Sequence, residues 1–137
     1  MNEYNKPLPA EDPDSAVYWE GCRQKKLMLQ HCSSCSKPRY PANNFCPHCR
    51  DKNFTWKESL GKGRLYSWIV VRHPVPKEIY AEDVPYIVAL IDLEEGVRIA
   101  SNIVGCEPES ITPDMTLQVI FKPVTEQVTL PLFEPTH

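Results

Sequence analysis

The chemistry that the sequence states most plainly rests on four cysteines. Cys32-Ser-Ser-Cys35 is followed, after ten intervening residues, by Cys46-Pro-His-Cys49. Each Cys-x-x-Cys turn sets two sulfurs on one side of a tight knuckle, and two facing knuckles make a tetrahedral cage of four thiolates. Zn2+ suits such a cage, being borderline-soft and free of any geometric preference from its d-electrons. Iron is the alternative occupant, because thiolate knuckles also hold it. Four protein ligands leave no open coordination position, so the expected site is structural, not hydrolytic. About twenty residues cannot bury a core of their own, and one bound metal ion stands in for it. His48, inside the second pair, is expected at the surface.

Two further cysteines, Cys22 and Cys106, are left over. A reactive thiol needs an adjacent base or a positive field, and Val-Gly-Cys106-Glu-Pro supplies neither. Both are expected as small buried hydrophobes. His73, in Arg-His-Pro-Val-Pro, opens a long loop and is expected to form that loop or an interface, not to catalyse. Gly61-x-Gly63 lacks a third glycine and a following helix, so it is a bend and not a dinucleotide motif. There is no Walker motif, nucleophile elbow or paired-carboxylate motif. No catalytic residue is therefore assigned.

The elements that must position the cysteines follow from the rest of the pattern. Fourteen prolines in 137 residues exclude an architecture of long helices, and the length suits one domain with a small appendage. Residues 1–11 are expected as a loose arm. Asp12-Pro13 starts a helix that runs to about Lys25, with Tyr18, Cys22 and Val17 on one face and Tyr18 and Trp19 as anchors. Gly21 inside it costs about 1 kcal/mol relative to alanine. Leu27–Leu29 leads as a strand into Cys32, and Phe54–Trp56 returns from the second knuckle. Five strands follow, over 65–71, 86–91, 97–103, 117–121 and 128–132, rich in Val, Ile, Leu and aromatics. A loop from Pro74 to Pro85 and a tight Leu93–Gly96 hairpin separate the first three, and a helical turn over 107–111 separates the third and fourth. That order matches a five-stranded OB barrel, though periodicity alone gives only a small barrel or sandwich. The expected division is an arm and helix over 1–26, a zinc ribbon over 27–60 and a barrel over 61–137.

Charge is unevenly distributed. The net charge is −3, but residues 23–64 hold ten Lys/Arg and two acids, leaving the remainder at −11. A basic segment in an acidic chain suggests a localised anionic partner or simply a solvated face. No apolar run approaches the ~20 residues that span a bilayer, and the acidic, proline-rich N-terminus has no signal-like apolar stretch. A cytoplasmic location is expected, where thiols stay reduced and cysteines serve metals.

Several motifs together resemble one family. Tyr-Trp-Glu-Gly (18–21) leads into the Leu-x-Leu-x-x-Cys strand and a ribbon containing Tyr40-Pro41. Gly-Lys-Gly-Arg-Leu-Tyr-Ser-Trp (61–68), Val-Pro-Tyr-Ile-Val-Ala-Leu-Ile-Asp-Leu-Glu-Glu-Gly (84–96) and Ser-Asn-Ile-Val-Gly-Cys (101–106) follow. From about residue 12 to 134 the chain resembles the DUF35 proteins. The resemblance implies an N-terminal helix, a rubredoxin-like zinc ribbon and a C-terminal OB-fold. It departs from the family at Ser36 and Arg50, which stand where glycine often follows each knuckle. The resemblance further implies a small subunit paired with a thiolase-fold catalytic subunit. Such partners are acyl-CoA acetyltransferases, acyl-CoA thiolases or steroid-type retro-aldolases. The partner supplies the catalytic groups, and the small subunit stabilises it and helps to bind or shape the acyl-CoA. CoA carries clustered phosphates that suit arginine, so Arg39, Arg64 and His73 are the residues expected to face CoA or the partner.

The rival class is a single-stranded nucleic-acid-binding ribbon and barrel. Such binding needs a basic groove with exposed aromatics. Residues 65–137 hold four Lys/Arg against eleven acids, a charge that repels phosphate. A stand-alone enzyme and an unspecified scaffold complete the alternatives.

Overall fold

The computed structural model describes residues 4–136. Its first element is a helix, α1 (Ala16–Arg23), and the chain leading into it begins with a reciprocal cap. The Ser15 N–H donates to Asp12 Oδ1 at 2.8 Å while the Asp12 N–H donates to Ser15 Oγ at 3.2 Å. The expected start at Asp12-Pro13 is therefore present as a capped turn, with the α-helix proper three residues later. The helix ends in a Schellman arrangement: Lys26 N–H reaches Gly21 O at 2.7 Å, Lys25 N–H reaches Cys22 O at 3.0 Å, and Lys25 has φ 63°. Tyr18 and Cys22 are buried as expected, whereas Val17 is 43% exposed. Gly21 has a packing reason that outweighs its helix cost. A Cβ there would lie 2.6 Å from Met28 Cγ and 2.9 Å from the Lys26 carbonyl oxygen.

Strands β1 (Met28–Cys32), β2 (Pro38–Arg39) and β3 (Phe54–Glu58) form an antiparallel sheet in the order β2-β1-β3. Residues 33–37 and 40–53 hold the two knuckles at one end of that sheet. The remaining strands are β4 (Lys62–Val71), β5 (Tyr86–Leu93), β6 (Arg98–Ile103), β7 (Thr116–Pro123) and β8 (Thr129–Pro135). They close into a barrel ordered β4-β5-β6-β8-β7. Antiparallel pairing of Gly63 with Leu117 and parallel pairing of Ile103 with Phe133 complete the ring, as in an OB-fold. All five expected barrel strands are present. The 74–85 loop also carries a short helix, α2 (Lys77–Tyr80), which the proline count concealed.

One apolar core runs through both parts, from Tyr18, Leu27 and Leu29 to Ile91, Leu117 and Phe133. At the junction one carboxylate adds a polar tie to that core. Glu95 in the β5–β6 hairpin accepts from Ser59 Oγ at 2.8 Å and from the Leu60 N–H at 2.9 Å. Gly61 then turns with φ 70° against Val119, and a Cβ on Gly63 would meet the Asp92 carbonyl oxygen at 2.5 Å. The bend expected at this pair needs both glycines. Among the described residues, no helix is long and apolar enough to cross a membrane.

Candidate metal centre

The four thiol sulfurs of Cys32, Cys35, Cys46 and Cys49 all lie within 4.8 Å of one another. Cys32 Sγ is 3.4 Å from Cys49 Sγ, and Cys35 Sγ is 3.6 Å from Cys46 Sγ. These separations are far from the ~2.05 Å of a disulfide. They approach the ~3.8 Å edge of a tetrahedron built on Zn–S bonds of about 2.3 Å. The donor set is all sulfur, so it fits zinc in a closed structural site.

The two knuckles repeat one another bond for bond. Cys32 Sγ accepts from the N–H groups of Ser34 (3.4 Å) and Cys35 (3.5 Å), and Cys46 Sγ accepts from His48 (3.4 Å) and Cys49 (3.5 Å). In each turn the residue after the second cysteine donates back to the first cysteine's carbonyl: Ser36 to Cys32 at 3.0 Å, Arg50 to Cys46 at 2.8 Å. Backbone N–H groups aimed at sulfur favour the thiolate. The Cys49 N–H, ahead of the opposing effect of burial, leads in holding the Cys46 thiol down to about 6. The Cys35 N–H leads in depressing Cys32. At Cys49 the Asp51 N–H pulls downward, but the neighbouring sulfurs, Cys32 first, prevail and push it up to about 12. Like charges crowded into one cage titrate as a set, and a divalent ion bound to all four removes that repulsion.

Asp51 joins the knuckles to each other. Its carboxylate accepts from the Ser34 hydroxyl and, at 3.0 Å, from the Asn53 N–H, while its carbonyl accepts from the Cys46 N–H at 2.8 Å. The Ser34 hydrogen bond holds the Asp51 carboxyl below its usual range. Sequence reading did not single out Asp51, since an aspartate two residues past a knuckle resembles any loop residue. His48 is exposed, as expected.

The three residues expected to face CoA or the partner do not form one site. Arg39 is only 4% exposed, and this corrects its expected surface role. Its Nε donates to Gln30 Oε1 at 2.8 Å, its Nη2 donates to Asn43 O at 2.9 Å, and its guanidinium carbon sits 4.8 Å from the Phe54 ring centre. Arg39 is thus an internal brace of the ribbon, in register with Gln30 across β1 and β2. Arg64 is exposed and paired with Asp114 at 3.1 Å, in a groove of about 790 Å³ that Lys62, Asp92 and Glu94 also line. His73 is exposed just beyond the other end of β4. Seven strand steps, from Arg64 to Val71 at the end of β4, already span about 23 Å at ~3.3 Å per residue, and His73 lies two residues further on.

Of the leftover thiols, Cys22 is fully buried, and burial pushes its thiol up to about 12. Cys106 departs from expectation: it is half-buried in the wall of a cleft at the barrel mouth. The arm is not loose where it is described. Lys6 pairs with Asp83 of the β4–β5 loop at 2.9 Å. Glu11 pairs with Arg23, which also donates to the Gln127 carbonyl of the β7–β8 loop at 2.8 Å.

A closed thiolate cage carried by a three-stranded sheet, joined through one core to a five-stranded barrel, defines a zinc-ribbon and OB-fold protein. Comparison with known proteins agrees part by part. Residues 19–55 match the family model for the ChsH2 rubredoxin-like zinc ribbon domain, and residues 56–122 match that for the ChsH2 C-terminal OB-fold domain. A DUF35 domain-containing scaffold protein of Methanocaldococcus jannaschii is 34% identical over 110 residues, covering 79% of this chain and 77% of the relative. The chain belongs to the DUF35 family. A probable enoyl-CoA hydratase alpha subunit of Thermomonospora curvata is 36% identical over 130 residues, 95% of this chain. This chain spans only 40% of that relative's length. A solved structure described as an Ltp2-ChsH2(DUF35) aldolase contains a chain 36% identical to this one. It superposes with a TM-score of 0.84 over 93% of this chain and 98% of that one.

Proposed function

We propose that this chain is a non-catalytic accessory subunit of a thiolase-type acyl-CoA complex, stabilising a thiolase-fold catalytic subunit and helping to shape its acyl-CoA site. The observation that carries the reading is the site itself. Among the described residues, the one cluster of metal-ligating side chains, four thiols, is arranged as a closed metal cage, and a closed cage has no position for water or substrate. Two relatives support the acyl-CoA and complex elements of the reading: one described as an enoyl-CoA hydratase subunit, the other an aldolase named for two components.

An unpartnered apolar surface supports a docking role. On the outer side of β4 and β5, Ile69 is 61% and Leu90 39% exposed, with Val88 between them in register with Ile69. Contiguous apolar surface of this kind marks interaction sites. Arg64 and His73 are the exposed residues assigned to partner or CoA contact, at opposite ends of β4. For Arg64, a CoA phosphate would replace Asp114. The acidic barrel opposes the nucleic-acid alternative.

The test is an assay of the pure zinc-loaded chain against acetoacetyl-CoA-type substrates, with and without free CoA. No turnover is expected from the chain alone. Zinc-dependent turnover by the pure chain would overturn the accessory role.

A further inference from the structure

We propose that the mouth of the barrel binds a small amphipathic anion, an apolar ring or short chain carrying one carboxylate, with its charge on Lys122. The cleft holds about 400 Å³, within the ~300–1,000 Å³ of small-molecule sites. It opens between the β4–β5 loop, the end of β6 and the β7–β8 loop, a region OB-folds use for ligands. Ile103, Val104, Leu130 and Leu132 give it apolar walls. Tyr80 and Tyr86 supply aromatic surface, their ring centres 5.9 Å apart and the rings tilted by 33°.

Charge selects the sign of the ligand. Among the described residues, the ionic side chains lining the cleft are Lys6, Asp83 and Lys122. Lys6 and Asp83 neutralise each other at 2.9 Å. Lys122 has no carboxylate partner among the described residues, so the cleft presents one positive charge beside apolar walls. The Asn102 amide is already committed, donating to the Ile87 carbonyl at 2.8 Å. One apolar body and one anionic group are what remain to be matched. A polyphosphate is a poor match, because a single unpaired cation faces it. Tyr4 and Lys6 of the N-terminal arm also line the cleft, so the arm forms one rim, tied to the loop by the Lys6–Asp83 pair. The inference does not depend on the acyl-CoA reading, since Lys122 lies toward the opposite end of β7 from Thr116, the register partner of Arg64.

Naphthalene-2-carboxylate and its uncharged carboxamide are the probes, titrated into the full zinc-loaded chain and followed by amide NMR shifts. The carboxylate is expected to bind saturably and about fivefold more tightly than the carboxamide, the scale of one partly exposed charge contact. Shifts are expected at Ile103, Val104 and Leu132. Lys122→Gln, an exposed substitution, should abolish the preference while leaving carboxamide binding unchanged. Equal affinity for the two probes, a preference that survives Lys122→Gln, shifts centred on Ile69 and Leu90, or no saturable binding would each overturn the proposal.

Discussion

Ser36 and Arg50 occupy the same position in the two cysteine knuckles and adopt the same left-handed backbone, φ 66° in each. Each donates its N–H to the carbonyl of the first cysteine of its own turn. The repeat explains why glycine suits these positions: an L-residue in this region carries roughly 1–2 kcal/mol of strain. Glycine relieves that strain but loses about 0.5–1 kcal/mol more in ordering the chain. Ser36→Gly and Arg50→Gly are each expected to stabilise the zinc-loaded protein by about 0.5–1 kcal/mol, a rise of about 2–4 °C in melting temperature. Thermal unfolding checks this, and a fall in either variant contradicts the strain assignment.

The brace inside the ribbon gives a second expectation. Gln30 Oε1 accepts from both Arg39 Nε and the Asn43 N–H, each at 2.8 Å. Gln30→Leu leaves a buried guanidinium and a backbone donor without their acceptor, a loss of about 2–4 kcal/mol. Arg39→Met removes the cation itself, so the double variant should be less destabilised than the sum of the two. Denaturant unfolding of the four proteins measures the coupling. Additive losses would mean that the two side chains act separately.

Much of this arrangement was legible in the sequence because the signals were local. Paired Cys-x-x-Cys turns report a cage within a few residues, and apolar runs bounded by turn residues report strands. The Asp12 cap was legible for the same reason. What escaped depends on contacts distant in sequence. Arg39 looked like one more cation in a basic segment, and only its register with Gln30 and the Phe54 ring places it inside. The Glu95 clamp joins residues 35 and 36 positions apart. The Lys6–Asp83 tie spans nearly eighty positions, so no window of local pattern contains it.

That tie makes Cys106 a reporter of the arm. The pair is partly exposed, and such pairs are worth about 0–1 kcal/mol. Asp83→Asn should therefore raise the alkylation rate of Cys106 by at most about fivefold. Cys22 should stay unlabelled near pH 8, its thiol being pushed by burial from 9.0 to about 12. Because that shift is upward, the stability Cys22 contributes is complete below pH ~9 and is lost as pH rises toward 12. Peptide mapping after iodoacetamide treatment distinguishes the two thiols. Labelling of Cys22 before Cys106 would contradict both assignments.

The metal centre predicts one zinc per chain by elemental analysis. Cys46→Ser should lose most of it, since a hydroxyl does not replace a thiolate ligand. Chelation should expose the ribbon residues to hydrogen exchange before the barrel strands, because the barrel closes through its own ladder and core. Full zinc occupancy in Cys46→Ser with unchanged folding would refute the four-ligand cage.

The accessory role is tested most directly by native mass spectrometry of the protein purified gently from its own cells, coupled to assay of each species. The prediction is a hetero-oligomer with a larger thiolase-fold subunit, in which acyl-CoA turnover belongs to the complex and never to this chain alone. Isolation solely as a free chain, or turnover by the chain without a partner, would contradict it.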